Sequence, residues 1–145
     1  MLRVVLDTNV FISAMLHPFG ICGQILSCWE DRLFVVLYNL ELLEEIKLVC
    51  AYPRLKKRFK RNRVGHLINQ LKQDGLYIRG NRNTKSSKDP KDDFLIAITE
   101  LGQANALVSS DNIGVLELEQ INAAILLTPA EFLDFLRKRQ LLNES

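Results

Sequence analysis

The sequence contains few of the residues from which zinc sites and disulfide frameworks are built. Its 145 residues include only three cysteines and two histidines, and these form neither a C-x-x-C pair nor an H-x-x-x-H motif. We therefore expect no zinc site, and any metal ion would have to be held by oxygen ligands. An odd number of cysteines is typical of free thiols in a reducing compartment, which favours a cytoplasmic protein without disulfides.

Long apolar runs and glycine-rich phosphate loops are also missing. No uninterrupted stretch approaches the roughly 18 apolar residues that a membrane span requires. No G-x-G-x-x-G follows the first apolar run and no G-K-[ST] is present, which excludes the usual dinucleotide and P-loop motifs. The composition, 48% hydrophobic and 25% charged, is typical of a globular protein, and the length predicts a single domain over residues 1–145.

Positive charge is concentrated in the middle of the chain. The net charge is only +2, but residues 53–91 contain 13 of the 19 Lys and Arg residues and two of the 17 acids, whereas the rest of the chain carries a net charge of −9. Seven basic residues fall within ten positions, with no acid between them: Arg54, Lys56, Lys57, Arg58, Lys60, Arg61 and Arg63. Because these charges repel one another, an anionic partner, either nucleic acid or an acidic protein, is favoured over a solvated helix face.

Short apolar strands alternate with helical segments. The predicted strands are Leu2–Leu6, Leu33–Tyr38, Leu76–Arg79, Ala106–Ser110 and Ala123–Leu127. Spacing and capping residues predict helices after Asp7, over residues 20–30, from Asn39 to Cys50, through the basic segment and Val64–Lys72, from Asp89 to Leu101, shortly after Asp111, and from Thr128 to about Gln140. A polar loop is predicted over residues 80–91. This alternation predicts an α/β fold in three layers, with helices on both faces of a parallel sheet.

Four acidic residues are candidates for one site. Asp7 and Asp111 each follow a predicted strand directly, so a parallel sheet would bring both to the rim where ligands of such sheets bind. Either aspartate alone could be only a helix cap, but as a pair they would repel each other unless a cation lies between them. Glu45 lies at the border of an apolar helical stripe and could equally be a solvated glutamate. Asp92 lies in the first turn of an apolar helix and could serve as a capping acid, with Asp93 as the alternative ligand.

Carboxylates without histidine are typical ligands of Mg²⁺ or Mn²⁺. Such an ion activates a water molecule and neutralises charge on a phosphodiester, so that no side-chain nucleophile is required. The basic segment would bind the remaining nucleic-acid backbone.

Four segments, in this order, resemble the PIN domain family: VVLDTNVFIS, ELLEEIKLV, DPKDDFLIAI and LVSSD. The resemblance spans nearly the whole chain and implies a metal-dependent ribonuclease with a five-stranded parallel sheet and carboxylates around one or two Mg²⁺ or Mn²⁺ ions. Asp7, Glu45, Asp92 and Asp111 match the family's four acids. Thr8 and Asn9 belong to its opening motif, and Ser109 matches its small hydroxyl residue two positions before the last acid. The resemblance implies that all three contact the substrate.

The long basic middle and the closing TPAEFL resemble stand-alone bacterial PIN proteins described as toxins of toxin–antitoxin pairs, the VapC-like ribonucleases. This narrower resemblance implies RNA as substrate, an antitoxin protein as partner and a homodimer. One position departs from the family: many relatives carry a further acid where this chain has Ile113, next to Asn112. The departure puts a second metal ion in doubt.

Other readings of the same residues stay open. A phosphotransferase of the haloacid dehalogenase type needs a second aspartate two positions after the first, where this chain has Asn9. A non-catalytic module that binds RNA or a protein partner is the stronger alternative, because the basic run would serve it equally well. Within that run, Lys57, Arg58 and Arg61 are the predicted RNA contacts. A stripe of four apolar residues, Ile21, Ile25, Leu26 and Trp29, is either core or an interface with a second copy or an antitoxin.

Overall fold

The fold was obtained as a computed structural model, which describes residues 1–80, 93–110, 120–121 and 123–144. The elements in chain order are β1 (Arg3–Leu6), α1 (Thr8–Leu16), α2 (Ile21–Glu30), β2 (Val35–Tyr38), α3 (Leu40–Cys50), α4 (Pro53–Lys56), α5 (Arg63–Asp74), β3 (Leu76–Tyr77), α6 (Asp93–Leu101), β4 (Ala106–Val108), β5 (Gln120–Ile121), β6 (Ala124–Leu127) and α7 (Pro129–Glu144).

One sheet organises the molecule, with strand order β3-β2-β1-β4-β6-β5. The first five strands of that order pair in parallel, and β5 pairs with β6 in the antiparallel direction. The prediction of an α/β fold with five parallel strands is confirmed. The sixth strand, β5, was not predicted, because two residues are too few to show a strand pattern.

The central strands are removed from water on both faces. Val4, Val5 and Leu6 of β1, and Leu107 and Val108 of β4, have no exposed surface. Strands covered on both faces have to be apolar at every position, which is why these segments appear in the sequence as continuous apolar runs. The buried strands place their carboxyl ends at fixed positions along one rim.

The apolar stripe on α2 belongs mostly to the core. Ile25, Leu26 and Trp29 are buried, where α2 packs against α1 and α7, whereas Ile21 is 46% exposed. Three of the four residues proposed as an interface are therefore core residues. Within the described part of the chain no single helix is long and apolar enough to cross a membrane. Helices α1 and α2 reach the required length and composition only when taken together, and they are bent by 100° relative to each other.

The basic segment does not form the continuous helix predicted for it. Helix α4 ends at Lys56, residues 57–62 form turns, and Asn62 adopts the left-handed conformation (φ 66°) immediately before α5. Like charges three and four positions apart destabilise a helix, and asparagine tolerates the left-handed region that ends one. The closing helix α7 runs to Glu144 rather than Gln140. The predicted loop at 80–91 and the helix after Asp111 lie outside the described residues.

A capping box at the start of α7 provides a test of this fold. The Thr128 amide donates to Glu131 Oε1 (2.9 Å), and the Glu131 amide donates to Thr128 Oγ1 (3.2 Å). We expect Thr128→Ala to lower the free energy of unfolding by about 1 kcal/mol, or the melting temperature by about 3 °C. Asp134→Ala removes only an exposed ion pair with Lys138 and should cost less than about 0.5 kcal/mol. Equal losses would contradict the capping box.

Hydrogen bonds from the backbone and the side chain of Thr128 to the Glu131 carboxylate lower the pKa of Glu131. A lowered pKa in the folded state means that the contribution of Glu131 to stability is present above the ordinary pKa of the carboxyl group and is lost as the pH falls through the folded-state value. The difference in stability between the unmodified protein and Glu131→Ala should therefore shrink on acidification, as measured by urea unfolding at several pH values. A difference that grows on acidification would contradict this assignment.

Candidate metal and nucleic-acid site

The chain reverses its direction across the sheet at β1. Strands β2 and β3 lie successively on one side of β1, and β4 lies on the other side. In open α/β sheets, ligands bind outside the carboxyl ends of the strands at this kind of switch point. Asp7 directly follows β1 and Ser109 directly follows β4, so both residues lie at the switch point.

Asp7 and Ser109 are joined by a hydrogen bond. Ser109 Oγ donates to Asp7 Oδ2 over 2.7 Å. The backbone is paired there as well: the Asp7 amide donates to the Val108 carbonyl (2.9 Å), and the Ser109 amide donates to the Leu127 carbonyl (3.0 Å). Asp7 is 8% exposed and Ser109 is fully buried. The Asp7 carboxylate is therefore held in one orientation at the rim of the sheet.

Asp7 does not use its carboxylate as a helix cap. It occupies the N-cap position of α1, but its side chain makes no capping hydrogen bond. Asn39, in the corresponding position after β2, does cap its helix, because its Oδ1 accepts from the Leu42 amide over 2.9 Å. The capping interpretation that the sequence left open for Asp7 is therefore wrong. Its carboxylate is directed to Ser109 across the switch point.

Thr8 adds a buried hydroxyl group to this rim. It is 4% exposed, and among the described residues its Oγ1 has no hydrogen-bond partner. A buried polar group without a partner costs about 1–3 kcal/mol, so such a group calls for a ligand or a water molecule. The neighbouring Asn9 is exposed. The potential metal ligands described at this rim, the side chains of Asp7, Thr8 and Asn9, offer oxygen atoms, which fits a hard divalent cation such as Mg²⁺ or Mn²⁺.

The four predicted metal ligands are only partly described. Glu45 is half-buried on α3 while Glu44 is exposed, which agrees with a position at the border of the buried stripe. Helix α3 packs against α1, the helix that carries Thr8. Asp92 and Asp111 lie outside the described residues, as do Asn112 and Ile113, and nothing is described of the Asp93 side chain. Within the described residues no group of three or more His, Cys, Asp or Glu side chains could hold a metal, so a shared metal site for all four acids stays a prediction.

The basic segment is exposed and electrostatically unpaired. Lys57, Arg58 and Arg61 are exposed, as are the other cations of the run except the half-buried Arg63. Within the described part of the chain none of the seven forms an ion pair. Among the described residues no acid forms an ion pair with these cations, and unpaired positive charge of this kind attracts an anionic partner.

The structure places one further cation, which sequence reasoning missed, beside the basic segment. Lys47, on α3, lines a cleft of about 390 Å³ together with residues 56 and 59–65. Its charge stands among acidic and apolar neighbours in the sequence, so the basic run did not include it. Only the packing of α3 against α5 brings it to the other cations, and no local sequence signal reports that packing.

The hydrogen bond between Ser109 and Asp7 can be tested through stability. We expect Ser109→Ala to lower the free energy of unfolding by about 1–3 kcal/mol, because it removes a donor from a buried carboxylate. Ser110→Ala is the matched control, since Ser110 is the exposed neighbour and its loss should change stability by less than about 0.5 kcal/mol. A double-mutant cycle with Asp7→Ala, which removes the acceptor, isolates the pairwise energy. Coupling near zero would contradict the interaction.

Removal of the unpartnered hydroxyl group of Thr8 should have the opposite effect on stability. Thr8→Val keeps the shape of the side chain and removes a buried hydroxyl group that has no described partner. Without added metal we expect an increase in stability of about 1 kcal/mol, measured by thermal or urea unfolding. A loss of stability would show that the hydroxyl group is already satisfied in the metal-free protein.

The family of this chain is shown by a match to a protein-family sequence model. A sequence model of the PIN domain family matches residues 3–113. An uncharacterized protein of Methanocaldococcus jannaschii, MJ1680, is 30% identical over 145 residues, covering 94% of this chain and 93% of that protein. Among solved structures, the PIN domain of human SMG5 is similar, with a TM-score of 0.45, 18% identity and coverage of 94% of this chain and 97% of that chain. The chain therefore belongs to the PIN domain family.

Proposed function

We propose that this protein is a metal-dependent endoribonuclease that hydrolyses RNA phosphodiester bonds. PIN domains are in general nucleases that use divalent metals and bind RNA. The observation that carries the proposal is the Asp7 carboxylate, which lies at the switch point of the sheet and is oriented by Ser109 instead of capping α1. A purely structural aspartate in this position would be expected to cap the helix.

The residues have distinct roles in this proposal. Asp7, Glu45, Asp92 and Asp111 would hold a Mg²⁺ or Mn²⁺ ion, whose chemistry when bound is to activate a water molecule and to neutralise charge on the scissile phosphate. Ser109 positions the Asp7 carboxylate through its hydrogen bond. Thr8 and Asn9 stand next to Asp7, where their polar side chains can contact the substrate.

The basic segment supplies RNA affinity rather than chemistry. Lys57, Arg58 and Arg61 are exposed and make no ion pair within the described part of the chain. Cations of this kind neutralise backbone phosphates, release counterions and make affinity depend on salt. Substrate binding and cleavage are therefore assigned to different side chains and can be separated by mutation.

Two substitutions on the acids test the division of labour. We expect Asp7→Asn and Glu45→Gln to reduce Mn²⁺-dependent RNA cleavage by more than about 100-fold, because even outer-shell changes at metal sites cost about 10- to 100-fold. RNA affinity, measured in EDTA by fluorescence anisotropy, should change little. The matched control is Glu44→Gln, which removes the same charge from the exposed neighbour of Glu45 and should leave cleavage unchanged. Equal losses for Glu44→Gln and Glu45→Gln would contradict the assignment of Glu45.

A non-catalytic RNA-binding module is the second candidate, favoured by the unpaired cations of the basic segment. It would bind RNA with the same dependence on salt. It would show no cleavage with Mg²⁺ or Mn²⁺, and its melting temperature would not rise with either ion. Those two results together would replace the nuclease proposal.

The finer proposal is that the protein is the toxin of a toxin–antitoxin pair. It rests on the similarity of the basic middle and the closing TPAEFL to stand-alone bacterial PIN toxins. It includes a cytoplasmic location, an antitoxin partner and a homodimer. Expression of the unmodified chain should then arrest growth of the host cell, whereas expression of Asp7→Asn should not. Growth that is equally unaffected by both proteins would contradict the toxin role and leave the nuclease proposal standing.

A further inference from the structure

The basic cleft has a composition that a merely solvated surface does not require. Among the described residues, five cations line it, Lys47, Lys56, Lys60, Arg61 and Arg63, and no acid does. Within the described residues none of the five makes an ion pair. Cations brought together from α3, α4 and α5 repel one another, so their convergence favours an anionic ligand.

The interior of the cleft is apolar. Phe59 and Val64 line it and are half-buried against the core, and Cys50, which also lines it, is buried. Burial raises the pKa of the Cys50 thiol, so this side chain is neutral at physiological pH. The cleft thus joins a positively charged rim to an uncharged floor that includes an aromatic ring.

The cleft is separate from the predicted metal site. Successive residues of an α-helix are rotated by about 100°, so Lys47 points about 200° away from Glu45 around α3. The two residues therefore flank the buried stripe of α3 on opposite sides. A ligand in the cleft would therefore contact the side of α3 that carries Lys47 and not the side that carries Glu45.

We propose that this cleft binds an unpaired nucleotide of single-stranded RNA, with the base on the apolar floor and the neighbouring phosphates at the cationic rim. The inference rests on RNA being the substrate and adds a base-binding position between α3 and α5, outside the predicted metal site. A nucleotide has both an aromatic face and an anionic phosphate, and stacking of a base on an aromatic side chain contributes about 1–3 kcal/mol. The volume of about 390 Å³ is at the lower end of the usual range for small-ligand pockets, about 300–1,000 Å³.

An acidic polypeptide is the other anionic candidate. Its carboxylates could pair with the rim, but acidic side chains have no apolar face for Phe59 and Val64. Double-stranded RNA is disfavoured as well, because its bases are stacked inside the helix and cannot reach a floor. The observed combination of cations and an aromatic floor therefore favours single-stranded RNA over both.

Gly65 allows the cleft to be closed without disturbing the fold. It lines the cleft in the first turn of α5, and a Cβ atom added there meets no atom within 4 Å. Replacing a helical glycine also improves helix propensity. Gly65→Leu therefore narrows the cleft without changing its charge. Asn69→Leu is the matched control, because it introduces the same side chain one turn further along α5 at an exposed position outside the cleft.

The test measures binding of a short single-stranded RNA and of inorganic polyphosphate, in EDTA, by fluorescence anisotropy with competition. We expect Gly65→Leu and Phe59→Leu to weaken RNA binding by about 5-fold or more, which is the lower end of the stacking contribution, and to leave polyphosphate binding unchanged. Asn69→Leu should change neither. Lys57→Ala, which removes an exposed cation outside the cleft, should weaken both probes by the same factor, since it affects only the phosphate contacts.

Each other outcome overturns the proposal. Equal weakening of both probes by Gly65→Leu, or no effect on RNA in a protein that melts normally, would show a diffuse basic surface. If Gly65→Leu weakened the binding of a poly-glutamate peptide more than the binding of RNA, the cleft would be assigned to an acidic polypeptide. Because binding is measured without metal, a chain that shows the expected RNA selectivity but no Mn²⁺-dependent cleavage would retain this cleft and lose the nuclease function.

Discussion

A carboxylate that is almost completely removed from water needs hydrogen-bond donors, and the site of this protein depends on that requirement. Asp7 meets it through Ser109, whose position is set by the parallel pairing of β1 with β4 and by its own amide bond to β6. Neither residue can move without loss of backbone pairing at the centre of the sheet. The orientation of the carboxylate is therefore a property of the fold and is in place before any ligand binds.

Charge is divided between two functions along the chain. Asp7 lies at the carboxyl rim of the sheet and Glu45 on the adjoining helix α3, where a cation would offset the repulsion between them. The cations lie together on the segment that joins α3 to α5, where phosphates would offset theirs. A small net charge of +2 conceals this separation.

Much of the fold follows from the sequence, because buried parallel strands must be apolar at every position. This constraint makes the strand at Leu107 as clear in the sequence as the one at Val4. The same logic brings Asp7 to the rim, since a residue directly after a parallel strand lies at its carboxyl end. What local pattern cannot show is whether an aspartate there caps its helix or faces a neighbouring strand. That choice depends on Ser109, which is 102 residues away.

The basic segment shows the opposite limit. Lysine and arginine favour helices individually, so a helical prediction for the basic segment follows from propensity, but their mutual repulsion disfavours a helix and α4 ends at Lys56. The left-handed Asn62 then separates the turns from α5. The cleft could not be predicted for a related reason. Lys47 joins it through contacts between α3 and α5, and contacts between helices distant in sequence leave no mark on the periodicity of either helix.

One edge of the sheet restricts how copies of this protein can associate. The edge strand β3 is only two residues long. An edge of that length offers few backbone groups to an incoming strand, so continuation of the sheet across it into another molecule would gain little hydrogen bonding. Association on this side would have to rely on side chains of helices and turns, and the short edge protects the protein against the strand-to-strand aggregation to which longer apolar edges are prone.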